Sequence, residues 1–177
     1  MEFKTACGNM IIVSEQTQKH LEAHPEAKTL LEEAIGKITL PDGTFLLTTL
    51  DMGRVVGRSA LVDAPKVATD EIAQFACRVG RDVPSRVMVG VEKPETNLFT
   101  VIAGKQDDGS WQLYTSFVGP SAPREPHDRN LKDGNADELT FWCEHALVHE
   151  NGWQEPFEST WAAVLEAVAA TRASATV

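Results

Sequence analysis

Histidines and arginines are the residues of this 177-residue sequence best suited to chemistry. His20 and His24 stand four apart in Lys19-His20-Leu21-Glu22-Ala23-His24-Pro25. On a helix that spacing puts both on one side, close to the stripe continued by Ala27 and Leu31. Imidazole titrates near neutral pH, so either can be a general acid or base, and either can equally cap or pack near a helix break. His145 and His149 repeat the spacing. It can hold a metal on one helix face, with Glu144, Cys143 or the loop pair His127 and Asp128. Trp142, Leu147 and Val148 give the same segment the look of a docking helix.

Arg54, Arg58, Lys66, Arg78, Arg81 and Arg86 form a mildly positive stretch. Guanidinium groups suit phosphates because they donate two parallel hydrogen bonds and keep their charge. They also suit ion pairs with Asp51, Asp63, Asp70 and Asp82, all near in sequence. Thr115 and Ser116 lie in Leu113-Tyr114-Thr115-Ser116-Phe117-Val118-Gly119. A hydroxyl there can bind phosphate, although threonine is common in strands because it is β-branched. A phosphate-cradling glycine loop, paired Cys-x-x-Cys, His-Glu-x-x-His and Gly-x-Ser-x-Gly are all missing from the sequence.

The elements that must position these groups follow from periodicity and breakers. Residues 15–38 read as two helical pieces, with Pro25 disfavouring helix at His24 and opening the second. Pro41-Asp42-Gly43 makes a turn. Phe45–Leu50 and Val55–Val62 read as strands, and Thr69–Val79 as a helix with Ile72, Phe75, Ala76 and Val79 on one face. Arg86–Val91, Leu98–Ala103 and Trp111–Val118 read as further strands, the last two joined by a hairpin at Asp108-Gly109. Alternation along the last strand puts Trp111, Leu113, Thr115 and Phe117 on one face and Gln112, Tyr114, Ser116 and Val118 on the other. A proline-rich loop runs from 120 to about 137, and helices at Glu138–Val148 and Ser159–Arg172 close the chain.

Length predicts a single domain, 1–177, with a core at 15–119 and a tail at 120–177. The fold class is α+β: an antiparallel sheet of four to five strands, an N-terminal helix packed on one face, and C-terminal helices. Three widely spaced cysteines fit free thiols in a reducing compartment. The N-terminus does not read as a signal peptide, and no run reaches the ~18 apolar residues of a membrane span. The expected location is therefore cytoplasmic, with no membrane partner. The formal charge of −10 disfavours phosphate binding overall. Its distribution is uneven: 54–86 carries six basic and four acidic side chains, and 107–177 four basic and twelve acidic.

In order, the His-bearing N-terminal helix, the paired strands with arginines and the closing Leu-Tyr-Thr-Ser-Phe-Val-Gly strand resemble a known superfamily. It is the metal-independent ribonucleases that group barnase, EndoU, colicin D and RelE-like toxins, and within them the phage- and toxin-associated barnase-like branch. The resemblance spans roughly 15–120. It implies endoribonuclease chemistry, in which the RNA 2′-hydroxyl attacks the adjacent phosphate, without a cofactor or metal. His20 or His24 would be the base or acid, Arg54 and Arg58 would stabilise charge on phosphate, and Thr115 or Ser116 would orient it. Lys66, Arg78, Arg81, Arg86 and Tyr114 would bind substrate. The acidic part after Gly119 has no counterpart in this pattern; it would pack over the positive strands and restrain them. A rival is a non-catalytic acidic interaction module of immunity or phage accessory type, with a cognate protein partner or inhibitor. A third reading is a metal-dependent hydrolase using His127, Asp128, His145 and His149.

Overall fold

The computed structural model describes residues 1–22, 25–132 and 134–174. The chain is α+β, and it divides into two compact units, 1–59 with 94–121 and 60–93 with 122–177. The chain thus leaves the first unit, builds part of the second, returns, and leaves again. Residues 122–177 are structural members of the second unit and supply two of its strands and two helices.

In the first unit, a short hairpin of β1 (Glu2–Lys4) and β2 (Met10–Ile12) precedes α1 (Glu15–Glu22) and α2 (Pro25–Gly36). Ser14 caps α1: its Oγ accepts the Thr17 N–H at 3.1 Å. Strands β3 (Phe45–Asp51), β9 (Leu98–Lys105) and β10 (Trp111–Val118) complete a sheet of order β1-β2-β10-β9-β3. The expected all-antiparallel sheet is corrected here, because β2 and β10 run parallel. The apolar periodicity of α1 and α2 has its reason in the core, where Leu21, Leu31, Ala34, Ile35 and Ile38 bury against Ile11, Phe99, Val101 and Leu113. The hairpin between β9 and β10 closes with Gly109 at φ 86°, the conformation Asp-Gly supplies at no steric cost. A two-residue ribbon of β4 (Gly57–Arg58) and β8 (Glu95–Thr96) adjoins this sheet.

The second unit has β5 (Leu61–Asp63), β6 (Ala73–Cys77), β7 (Pro84–Met88), α3 (Ala136–Glu144), β11 (His145–Val148), β12 (Phe157–Ser159) and α4 (Trp161–Ser174). Its sheet order is β12-β6-β7-β11-β5, also mixed, with β7 and β11 parallel. Two expected helices are revised. Residues 73–77 are a strand, because they pair on both sides, with β7 and β12. The segment expected as helix to Val148 leaves helical geometry at His145 (φ −131°, ψ 159°) and continues as β11. The expected strand over 55–62 is split between β4 and β5, which belong to different sheets. Phe75 meets Trp161 edge-on at 5.0 Å, and both are fully buried with Trp142 and Val164.

Candidate functional site

Strand β10 carries the hydroxyls singled out in the sequence, and a bulge decides which of them is available. Leu113 faces Ala103 of β9, but Thr115 faces Ile102, so Tyr114 is the extra residue. The bulge reverses the alternation beyond it. Ser116 and Val118 join Trp111 and Leu113 on the core side, where α1 and α2 pack, while Thr115 and Phe117 share the opposite face. Ser116 is 2% exposed, and its Oγ is the buried side-chain polar atom without a partner among the described residues. Thr115 is therefore the hydroxyl that solvent can reach, flanked by the exposed rings of Tyr114 and Phe117. The Tyr114 phenol lies over Gly104, where a Cβ would collide with it, so the glycine leaves room for the ring.

Two elements converge on this strand. β2 pairs only with Trp111 and Gln112, so the edge of β10 is open from Leu113 onward. There α1 takes over, Thr17 donating its hydroxyl to the Leu113 carbonyl at 3.3 Å. The backbone of His20 belongs to this helix. Its side chain, and the whole of His24, lie outside the described residues. At the other end of β10, Gly57 abuts the Val118 side chain and Ser59 abuts Gly119, which brings the strand bearing Arg58 to that end. Thr100 donates to the Gly119 carbonyl at 2.8 Å and shares a 2.9 Å hydrogen bond with Thr49, whose Oγ1 accepts the Ser121 N–H. Ser59, Thr49 and Thr100 went unnoticed in the sequence. Only their hydroxyls mark them, and nothing in spacing connects residues so far apart along the chain.

Arg54 does not join this group. Its guanidinium grips Glu33 of α2 through both carboxylate oxygens, at 2.9 and 2.6 Å. With Lys37 also 3.0 Å from Glu33, these cations hold that carboxyl down to about 2.

Lys66, Arg78, Arg81 and Arg86 fall in the second unit, and Arg54, Arg58 and Tyr114 in the first. Lys66 pairs with Glu144 at 2.7 Å. Arg78 lies over the Trp153 ring, 5.0 Å from its centroid. Arg81 sits in the turn after β6, its N–H bonded to the Arg78 carbonyl. Arg86 is 3% exposed and turned inward, donating to the carbonyls of Trp142, Cys143 and Pro65 at 3.2, 2.8 and 2.6 Å. It satisfies the orphan carbonyls where α3 ends, a structural duty.

The histidines of the second unit are likewise engaged. His145 bonds the Phe141 carbonyl at 2.8 Å, stacks on that ring and lies 3.3 Å from Asp63; His149 bonds the Gln154 carbonyl at 3.0 Å. The His127 Nε2 is within 3.0 Å of the Pro84 carbonyl and 3.1 Å of Glu125, whose other oxygen accepts the Ser85 hydroxyl at 2.6 Å. This chain of contacts ties the proline-rich loop to β7. Among the described residues no three His, Cys, Asp or Glu side chains are grouped to hold a metal. In these same residues no helix is long and apolar enough to cross a membrane.

Cys7 stands in the β1–β2 turn, where Thr5 and Asn9 side chains lie at 3.3 and 3.2 Å from its sulfur. Those groups and the backbone N–H groups of Leu40 and Asn9 favour thiolate and bring the thiol down to about 7. Comparison with family models, with curated proteins and with solved structures returns no match.

Proposed function

We propose that the chain is a metal-independent endoribonuclease whose RNA lies along the open half of β10. The observation that carries this reading is that one strand holds the solvent-reachable hydroxyl of Thr115 while α1 is bonded to its edge at Leu113 and β4 abuts its Val118 end. In this reading Thr115 hydrogen-bonds the reacting phosphate, and the rings of Tyr114 and Phe117 stack against bases, a sequence-tolerant contact. Arg58 supplies positive charge, while His20 or His24 removes the 2′ proton or protonates the leaving 5′ oxygen. The bulge gives the hydroxyl role to Thr115 and leaves Ser116 in the core. Arg54, Lys66 and Arg86 are each engaged within the protein, Arg54 and Lys66 by carboxylates and Arg86 by carbonyls.

The test is cleavage of RNA by the purified protein in excess chelator, beside His20→Ala/His24→Ala and Thr115→Ala variants. Products ending in a 2′,3′-cyclic phosphate are expected from the parent. Cleavage should vanish in the double histidine variant and fall about 10²-fold or more in Thr115→Ala. The commitment of three cations, together with the charge of −10, favours as second reading an acidic interaction module for a protein partner. No cleavage by parent or variants, across salt and pH, would decide for that module.

A further inference from the structure

We propose that two copies of the chain pair through β3, antiparallel and edge to edge, across a two-fold axis at Leu47. β3 is the last strand of its sheet. The Lys105 N–H donates to the Thr44 carbonyl, and the Met52 N–H to the Asn97 carbonyl. In an antiparallel ladder this parity turns the main-chain groups of Leu46, Thr48 and Leu50 toward β9, and those of Phe45, Leu47 and Thr49 away from it. Among the described residues no hydrogen bond takes up those outward groups.

An open edge of this kind is a template for another strand, and edge strands are ordinarily protected by charge, proline, a bulge or brevity. The opposite edge, β1, has such protection: it is three residues long, with Glu2 and Lys4 about Phe3. β3 has little of it: it is seven residues long and regular in register, has no proline, and carries its single charge, Asp51, at its end. Phe45 and Leu47 are 53% and 46% exposed.

The strand is complementary to itself. With the axis at Leu47, this residue faces the partner's Leu47, and Phe45 faces the partner's Thr49. Every such pair consists of outward-facing residues that exchange two backbone hydrogen bonds. Aliphatic and aromatic–β-branched pairs are favourable across strands. Asp51 falls opposite the partner's Gly43, so no like charges meet. Two chains that each carry −10 can approach most easily where charge is missing, and this edge provides that. A seam of one strand from each copy belongs to the small-interface class, below about 1,200 Å² in total, so the dimer should dissociate on dilution.

Sedimentation velocity of the full chain between about 1 and 100 µM tests this. The parent should pass from monomer to dimer, and its Leu47 and Thr49 amides should exchange hydrogen more slowly as concentration rises. Leu47→Lys places two ammonium groups face to face and should weaken the dimer at least about tenfold. Phe45→Pro removes an outward donor at an exposed site and should do the same, while Ile72→Lys, on an exposed site of the second unit, should leave the dimer intact. Circular dichroism of the exposed-site variant Leu47→Lys should match the parent. A parent that stays monomeric to 100 µM would overturn the inference. So would a dimer that both β3 variants leave unchanged.

Discussion

Arg86 and Cys7 show how little of a residue's role lies in its type. Arg86 belongs to a run of arginines that reads as a phosphate cradle, yet its partners are carbonyls as distant in sequence as Cys143. Replacing it with methionine removes three buried hydrogen bonds and should lower stability by about 1–3 kcal/mol, seen as a lower urea midpoint by tryptophan fluorescence. RNA cleavage at a temperature where the variant is folded should be unchanged. Cys7 reads as one of three unremarkable thiols. Its donors make it the one that iodoacetamide should modify first at about pH 7, because burial pushes the thiols of Cys77 and Cys143 up. Peptide mapping should find Cys7 labelled and slowed by Thr5→Val. Glu33 gives a pH signature. Its carboxyl titrates at about 2 when folded and at 4.5 ordinarily, so its contribution is present above the ordinary value and lost as pH falls toward 2. Glu33→Gln should therefore lower the urea midpoint at about pH 7 and make no difference near about pH 2. The pair is exposed, so the effect is small and shrinks with salt.

At the scale of elements, periodicity located α1, α2, β3, β9, β10 and α4 to within a few residues, because each has one dry face and a clear breaker. It failed where pairing outweighed pattern. Ile72, Phe75, Ala76 and Val79 have helical spacing, but Ile72 and Val79 are exposed and the residues between them are clasped by strands on both sides. The bulge in β10 is a failure of another kind. Nothing in Leu113-Tyr114-Thr115 announces an extra residue; the signal is Gly104 on the neighbouring strand, which makes room for the tyrosine ring. Its consequence is testable. Ser116→Ala removes a buried, unpartnered hydroxyl and should be neutral or stabilising by up to about 1 kcal/mol, with cleavage retained. Thr115→Ala should do the reverse, leaving stability nearly unchanged and cleavage impaired. Equal effects of the two substitutions on cleavage would mean that the alternation runs unbroken through the strand.

For the whole molecule, the α+β class was legible, but the division into two units was not. The boundary at 59/60 falls inside what reads as one strand, Val55–Val62, with no proline, linker or change of composition to mark it. It also distributes the charge differently from the linear sequence. The first unit holds seven basic and eleven acidic side chains, the second nine and fifteen, so the positive stretch of 54–86 is shared between two acidic bodies. Each unit is thus acidic on its own, which limits the phosphate contacts expected of either. The logarithm of RNA affinity should fall with the logarithm of salt at a slope no steeper than about −2, measured by fluorescence anisotropy with the cleavage-impaired Thr115→Ala. A steep slope would point to many phosphate contacts and to cations beyond Arg58.

The interleaving also imposes a timetable on the ribosome. Residues 60–93 emerge before β9 and β10 exist, so α1 and α2 must wait for the strands they bury against while a part of the other unit is already outside. Translation proceeds at about 5–20 residues per second, so this interval lasts several seconds. Through it, the apolar stripe of both helices lacks Phe99, Val101 and Leu113 to cover it. The strand that carries Thr115 is the last piece of its unit to be made. A chain stopped anywhere before residue 111 therefore lacks the middle strand of its first sheet, and the first unit closes in one late step.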